Sequence, residues 1–293
     1  MFRLSLARLA LPKDKKELME LVKSLRYRTE AAIMDCTSAL KESDGDIDAA
    51  IQILHKKGLA RAMKKTHRIT ENGFLVRCVS STPANGAAII TMCSETDFAA
   101  RNEHFQKVCL QTKYRFEEML DRSQGKVLNH PEDATKELSL AMDSVLKSMI
   151  AVLGENVRVR SVTPLKIPPR PSEHLSIGSY THGAVGVEDV GRFVGLVAVE
   201  HLRTGEVVQP DVLTSVARHF VATSGAEGSY TQQNFFGSED EPLGRWLKRH
   251  HLRFISSLVM EFGKEPVEHA AIQSAGNSAA KSAQETPIQE MGK

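Results

Sequence analysis

The stretch SETDFAARNEHF, residues 94–105, lies where one hydrophobic pattern ends and another begins. The apolar run before it, residues 87–93, predicts a buried β-strand. The residues after it that recur at helical spacing are Phe105, Val108, Cys109, Thr112, Phe116, Met119 and Leu120. The stretch is therefore predicted to be a turn from a strand into a helix. Such a turn exposes side chains on a rigid support and leaves the first helical N–H groups free.

The start of this helix can be capped in more than one way. Thr96 or Asp97 could be the N-cap, while Ser94 with Asp97 three residues later forms a competing capping box. Two roles are open for the Asp97–Phe98 pair: a cap with an aromatic side chain packed onto the sheet, or two groups exposed to a partner. Spacing alone favours the first role, because helix caps far outnumber functional Asp-Phe pairs.

The composition is that of an ordinary globular protein. The 293 residues suggest about two domains, and the 41% hydrophobic and 25% charged fractions are typical of globular chains. Only 5% of the residues are aromatic, and 38 basic residues nearly balance 36 acidic ones. Direct binding to nucleic acid is therefore not expected. No apolar run approaches the roughly 20 residues of a membrane helix, so no membrane segment is predicted.

The four cysteines are Cys36, Cys78, Cys93 and Cys109. They form no C-x-x-C pair and lie in apolar patterns, which favours reduced core residues over a disulfide.

The N-terminus, MFRLSLARLALPK, differs from the rest of the chain. It carries Arg3, Arg8 and Lys13 and has no acidic residue before Asp14. Interrupted apolar residues with arginine and serine are typical of a mitochondrial transit peptide rather than a secretory signal. Residues 1–14 are therefore predicted to be a transit peptide, with an ordinary chain start as the alternative.

Residues 15–60 are predicted to form a small three-helix bundle. Leu18, Leu21, Val22 and Leu25 lie on one face of its first helix. Thr29 is the expected N-cap of the second helix and Asp46 that of the third, which Gly58 is expected to end.

Met34 has polar helical neighbours and is expected on the outer face of the second helix. A lone exposed methionine usually has no role. Together with Arg26 and Ile33, however, it could anchor a partner helix, because methionine adapts to irregular surfaces.

The rest of the chain predicts a core built from two similar α/β halves with small antiparallel sheets, so that the fold class is α+β. Strands are expected at residues 73–80, 86–93, 175–184 and 193–199, and helices at 131–153 and 211–222. The predicted segments are a basic linker at 61–72, a first half at 73–154, a second half at 155–263 and a disordered tail at 264–293.

Four segments resemble the translation elongation factor Ts family in the right order. They are LRYRTEAAIMDC (25–36), TDFAARN (96–102), GENV (154–157) and GSYTHG followed by GRFVGLVAV (178–199). Family members usually have Gly where this chain has Glu30 and Val where it has Ala99. Residues 184–190 look inserted between the two parts of the fourth segment.

This resemblance implies a ubiquitin-associated-like bundle and a function in guanine-nucleotide exchange on elongation factor Tu (EF-Tu). It implies that three groups of residues contact that GTPase. The residues implied to contact it beside its nucleotide site are Thr96, Asp97, Phe98, Arg101 and Asn102. Against a GTPase-domain helix it implies Arg26, Ile33 and Met34, and from the second half Tyr180 and His182. No cofactor or small-molecule substrate is implied, and the expected location is the mitochondrial matrix.

Other functions have less support in the sequence. The chain contains no P-loop, G-x-G-x-x-G, H-E-x-x-H or G-x-S-x-G motif, so nothing indicates an enzyme. His182 has no nucleophile or acid near it at the spacing of a triad or metal site. A ubiquitin-binding adaptor would explain the bundle but leave the two α/β halves without a role. An exchange factor is therefore the preferred interpretation.

Overall fold

The structure, a computed structural model, describes residues 15–29, 31–203, 205–226, 229–238 and 240–271. The predicted transit peptide, Glu30 and residues 272–293 lie outside these ranges. The described helices are α1 (Lys15–Thr29), α2 (Ile33–Glu42), α3 (Ile47–Met63), α4 (Asp97–Arg101), α5 (Glu103–Ser123), α6 (Pro131–Ala141), α7 (Asp143–Leu153), α8 (Pro210–Ala222) and α9 (Leu243–Arg249). The described strands are β1 (Asn72–Val79), β2 (Ala87–Ser94), β3 (Val157–Pro164), β4 (Leu175–His182), β5 (Val190–Gly191), β6 (Phe193–His201), β7 (Leu252–Glu261) and β8 (Val267–Ala270).

Helices α1 to α3 form the expected bundle around a small apolar core. Its fully buried side chains are Val22, Leu25, Cys36, Ala39, Leu40 and Ala50. Asp46 caps α3 as predicted, since its carboxylate accepts from the backbone N–H groups of Asp48 and Ala49. The prediction that Thr29 caps α2 is wrong. Thr29 belongs to α1, where its hydroxyl donates to the carbonyl of Leu25.

Gly58 does not end α3, which continues to Met63 and so includes the first residues of the predicted linker. A Cβ at position 58 would lie 2.8 Å from the Cβ of Ala151 on α7. Glycine is therefore required here because α3 and α7 approach closely, not because a helix stops. This contact joins the bundle to the core.

The described strands form two four-stranded antiparallel sheets, which make up the core and confirm the α+β class. Their strand orders are β3-β2-β1-β5 and β4-β6-β7-β8. The predicted boundary between the halves at residue 155 is wrong for the sheets, because β3 pairs with β2 of the first sheet. The predicted start of the tail at residue 264 is also wrong, because β8 pairs with β7 from Val267 to Ala270.

The core has four layers. Helices α4 to α7 cover one face of the first sheet, the two sheets pack against each other, and α8 and α9 cover the second sheet. The single helix predicted over residues 131–153 is two helices, separated at Met142. All four cysteines are buried and free, as predicted.

None of the described helices is long and apolar enough to cross a membrane.

Candidate partner-binding site

The turn between β2 and α4 is capped by Thr96. Its hydroxyl oxygen accepts from the backbone N–H of Ala99 at 3.2 Å, so Thr96 rather than Asp97 is the N-cap. The capping box of Ser94 with Asp97 is not formed, since the Ser94 hydroxyl donates instead to the carbonyl of Thr96 at 2.8 Å. The Asp97 side chain is consequently not used as the cap of the helix.

A second segment, residues 155–156, holds this turn from outside. The Glu155 carboxylate accepts from the backbone N–H of Thr96 at 3.0 Å and from its hydroxyl at 2.9 Å. The backbone N–H of Asn156 donates to the Glu95 carboxylate at 2.6 Å, and the side-chain amide of Asn72 donates to the Glu95 carbonyl at 2.9 Å. The turn is therefore fixed before any partner binds. Sequence reasoning missed Glu155, although the GENV match already marked its position.

Phe98 does not pack onto the sheet. Its side chain is 84% exposed, while the next two residues, Ala99 and Ala100, are buried and supply the packing of α4. The first of the two roles left open for Asp97–Phe98 is thus wrong on both counts. A large aromatic side chain is instead presented to solvent at the tip of a rigid turn.

The remaining predicted residues of this group have different environments. Arg101 and Asp97 are both largely exposed, with Arg101 Nε 3.8 Å from Asp97 Oδ2. Asn102 is the N-cap of α5, and its side chain accepts from the backbone N–H of His104 at 2.9 Å. The structure therefore brings Thr96 to Asn102 together, with Thr96 and Asn102 serving as caps and Asp97, Phe98 and Arg101 facing outward.

We expect Glu155→Ala to lower the free energy of unfolding by about 1–3 kcal/mol, because the half-buried N–H and hydroxyl of Thr96 lose a charged acceptor. Urea denaturation of this variant beside Glu137→Ala, an exposed glutamate on α6, is the measurement. Equal stability of the two variants would show that Glu155 does not hold the turn.

The bundle presents its own exposed apolar side chains. Met34 is 84% exposed and Ile33 48%, and Arg26 is also exposed. Tyr27 is 90% exposed and was not predicted from the sequence, because its position beside the stripe of α1 is an ordinary one for a surface residue. These residues are available to a partner without any rearrangement of the bundle.

We expect Met34→Ala to weaken partner binding by about 1 kcal/mol without changing the melting temperature, because the side chain has little burial to lose. Titration against the partner, with Leu140→Ala on α6 as an exposed apolar control, measures the effect. If Met34→Ala binds like the wild type, Met34 is an ordinary surface residue.

The third predicted group, Tyr180 and His182, lies at the end of β4 on the second sheet. The guanidinium of Arg218 stacks 4.9 Å from the centre of the half-buried Tyr180 ring. The exposed His182 ring lies 6.4 Å from Tyr180 and 5.8 Å from Phe193, centre to centre. These stacked rings form a defined surface, but they belong to a different sheet from the turn at Phe98. Within the described ranges no group of three or more His, Cys, Asp or Glu residues could hold a metal ion.

This chain is similar to known proteins over most of its length. Residues 95–239 match the family model described as Elongation factor TS. The chain is 64% identical to the mitochondrial elongation factor Ts of Leishmania infantum over 267 residues, which cover 91% of this chain and 97% of that protein. It is 53% identical to mitochondrial elongation factor Ts 1 of Trypanosoma cruzi over 92% of this chain and 96% of that protein.

A bacterial relative covers less of the sequence. The elongation factor Ts of Methylobacterium radiotolerans is 36% identical over 212 residues, 70% of this chain and 62% of that protein. The model match begins at the Asp97–Phe98 turn and includes both Tyr180 and His182. On these similarities, the chain belongs to the elongation factor Ts family.

Proposed function

We propose that this protein is the guanine-nucleotide exchange factor for EF-Tu and promotes GDP release during protein synthesis in the mitochondrial matrix. Family membership supports this function, and relatives covered over nearly their whole length carry the word mitochondrial in their names. EF-Tu is the proposed partner, and no cofactor or small-molecule substrate of the protein's own is proposed.

One observation supports the mechanism most strongly: Phe98 is exposed on a turn that is already rigid. Burying an aromatic side chain of this size normally stabilises a fold, so its 84% exposure leaves binding energy for a partner. Because residues 155 and 156 fix the turn, little conformational entropy is lost when Phe98 is inserted. Asp97 beside it places a carboxylate at the same point.

The effect on the nucleotide follows from thermodynamic linkage. A factor that binds nucleotide-free EF-Tu more tightly than its GDP-bound form must weaken GDP binding by the same ratio. In this proposal the bundle and the Tyr180–His182 surface supply contact area, and the Asp97–Phe98 turn directs part of the binding energy into the nucleotide site. Magnesium requires near-ideal octahedral geometry, so a small displacement of its surroundings weakens its binding. The protein then acts through binding alone and is not an enzyme.

The test is the rate of labelled-GDP release from the cognate EF-Tu as this protein is titrated in. We expect the rate to rise and saturate at a value far above spontaneous release. Binding without faster release would contradict the exchange function and leave an adaptor. A parallel pull-down with ubiquitin then distinguishes a ubiquitin-binding bundle from an EF-Tu-binding one.

The location is tested separately with the N-terminal residues. We expect residues 1–20, fused to a reporter, to direct import into the mitochondrial matrix with cleavage before about Lys15, because the segment is arginine-bearing and free of acids up to Asp14. The same fusion with Arg3 and Arg8 replaced by Glu is the control. A wild-type fusion that stays in the cytosol would contradict this proposal.

A further inference from the structure

Residues 184–191, here called the strap, connect β4 to β6 of the second sheet by way of the first sheet. The end of the strap is β5, whose Val190 and Gly191 pair with Val76 and Leu75 of β1. Val190 is fully buried, and Val185 and Val187 pack against the apolar core between the first sheet and its helices. The connection between two strands of the second sheet therefore supplies the edge strand of the first sheet.

Asp189 fixes the strap to two elements directly, β1 and α5, and to β4 through Arg77. Its carboxylate accepts from Nε and Nη2 of Arg77 on β1 and lies 3.8 Å from Nζ of Lys113 on α5. Arg77 also donates through Nη1 to the hydroxyl of Ser179 on β4, at 3.1 Å. Ser179 is the neighbour of Tyr180. The side chains of Asp189 and Arg77 are only 22% and 20% exposed, so water screens this ion pair weakly.

The strap also contacts the residue that supports the end of α4. A Cβ on Gly186 would lie 2.6 Å from Oε1 of Gln106, so the strap backbone packs directly on this side-chain amide. Gln106 is 9% exposed, and its Nε2 donates to the carbonyl of Arg101, the last residue of α4, at 3.2 Å. The strap is therefore one side chain away from the helix that carries Asp97 and Phe98.

The C-terminal end of the strap, at Gly191, contacts the β4–β6 hairpin. The backbone N–H of Arg192, the next residue, donates to the carbonyl of His182 at 3.1 Å. A Cβ on Gly191 would lie 2.6 Å from Cγ2 of Thr181, so the strap passes very close to the end of β4. A continuous set of packed groups thus runs from the Tyr180–His182 surface through the strap to α4.

We infer that the strap is a positioning element that fixes the Asp97–Phe98 turn relative to the Tyr180–His182 surface. Asp189, Gly186 and Gln106 are its positioning residues. The inference rests on the proposed exchange function, because a partner that contacts both surfaces at once requires them at one fixed separation. If the strap is loosened, the factor still binds EF-Tu through the bundle and the hairpin. Phe98 is then no longer held in the position at the nucleotide site of EF-Tu that promotes GDP release.

The first experiment does not depend on EF-Tu. Amide hydrogen exchange is measured on the free protein for wild type, Asp189→Ala and Gly186→Ala, with Glu188→Ala as the control on an exposed strap residue. We expect amides in residues 97–106 to exchange at least fivefold faster in the first two variants and at the wild-type rate in the control. Unchanged amide hydrogen exchange in all variants would overturn the inference, independently of any effect of the protein on EF-Tu.

The second experiment measures labelled-GDP release from EF-Tu over a range of factor concentrations. For Asp189→Ala and Gly186→Ala we expect the saturating rate to fall at least threefold, with a half-saturating concentration within twofold of wild type. Asp189→Asn keeps the Oδ1 acceptor used by Arg77 and is expected to recover most of the rate. A variant that is merely less folded lowers the active concentration but not the saturating rate, so an unchanged saturating rate would also overturn the inference. If the wild-type protein does not accelerate GDP release from EF-Tu, the proposed nucleotide-exchange function is wrong, but the hydrogen-exchange result still tests the strap.

Discussion

Phe98→Ala is expected to lower the saturating rate of GDP release from EF-Tu at least tenfold, while the protein melts at the wild-type temperature. The side chain is 84% exposed, so its truncation removes almost no buried surface and leaves no cavity. A tenfold change corresponds to about 1.4 kcal/mol of binding energy no longer used on the nucleotide site. Binding itself is expected to persist, because the bundle and the Tyr180–His182 surface are unchanged.

The chain offers a matched control for this variant. Phe105, seven residues later, is fully buried at the start of α5, so Phe105→Ala should lower the free energy of unfolding by about 3–5 kcal/mol. Its exchange rate per folded molecule should stay closer to wild type than that of Phe98→Ala. The measurements are stopped-flow GDP release at saturating factor and thermal melting. A destabilised Phe98→Ala protein with normal activity per folded molecule would contradict the proposed mechanism.

Much of the fold followed from local patterns. The amphipathic stripes located the helices of the bundle and core, and the short Asp46 side chain before an apolar run correctly predicted a cap. The α+β class and the antiparallel hairpin of β1 and β2 were also predicted from local patterns. They follow from the spacing of apolar residues along the chain and from the Pro-Ala-Asn-Gly connection. These features need no knowledge of distant contacts.

Several open choices and errors lie where a distant residue decides between local alternatives. Thr96 and Asp97 are comparable caps by sequence, and the choice depends on Glu155, which bonds to Thr96 from 59 positions away. Gly58 has the local features of a helix end, but its function is to admit Ala151 of α7. Likewise, β3 and β5 pair with strands distant in sequence, so no periodicity could assign them to the first sheet.

The candidate site shows the same division. The resemblance located the turn, the bundle face and the hairpin, but residue type could not tell whether Phe98 is buried. The buried face of α4 is made by Ala99 and Ala100, and Phe98 lies outside it, 84% exposed. The strap contacts of Asp189 depend on the topology, because β5 pairs in the first sheet although it lies in the connection between two strands of the second sheet.

The stability of the protein is expected to fall by about 3 kcal/mol between pH 6.5 and pH 4 through His219 alone. His219 is fully buried on α8, between Phe220 and Phe235, whose ring centres lie 5.4 and 5.6 Å away. Burial, with a smaller contribution from the neighbouring His269, lowers the pKa of His219 from 6.5 to about 4. That difference in pKa between unfolded and folded chains corresponds to about 3 kcal/mol.

The sign follows from the neutral ring. Nδ1 of His219 accepts from the backbone N–H of Phe236 at 3.1 Å, so in the neutral tautomer Nε2 carries the hydrogen. Nε2 is buried and has no hydrogen-bond partner within the described ranges. Protonation would break the bond to Phe236 and bury a charge. Because the folded pKa is depressed, the stabilisation is complete above pH 6.5 and is lost as the pH falls towards 4. The lowered pKa values of His250 and His269 act in the same direction.

His219→Phe isolates this contribution, because a phenylalanine fits among aromatic neighbours but cannot bind a proton. We expect the variant to be less stable than wild type at pH 7.5, since the N–H of Phe236 loses its acceptor, yet to lose less stability on acidification. Urea denaturation at pH 7.5, 6.5, 5.5 and 4.5 measures both effects, with His55→Phe on the exposed surface of α3 as the control. Because one titrating group changes the free energy of unfolding by at most about 1.4 kcal/mol per pH unit, the slope should decrease by up to that amount below pH 6. An acid dependence identical in wild type and His219→Phe would show that the fold tolerates a charge at this position, and the loss of stability in acid would then have to come from other groups.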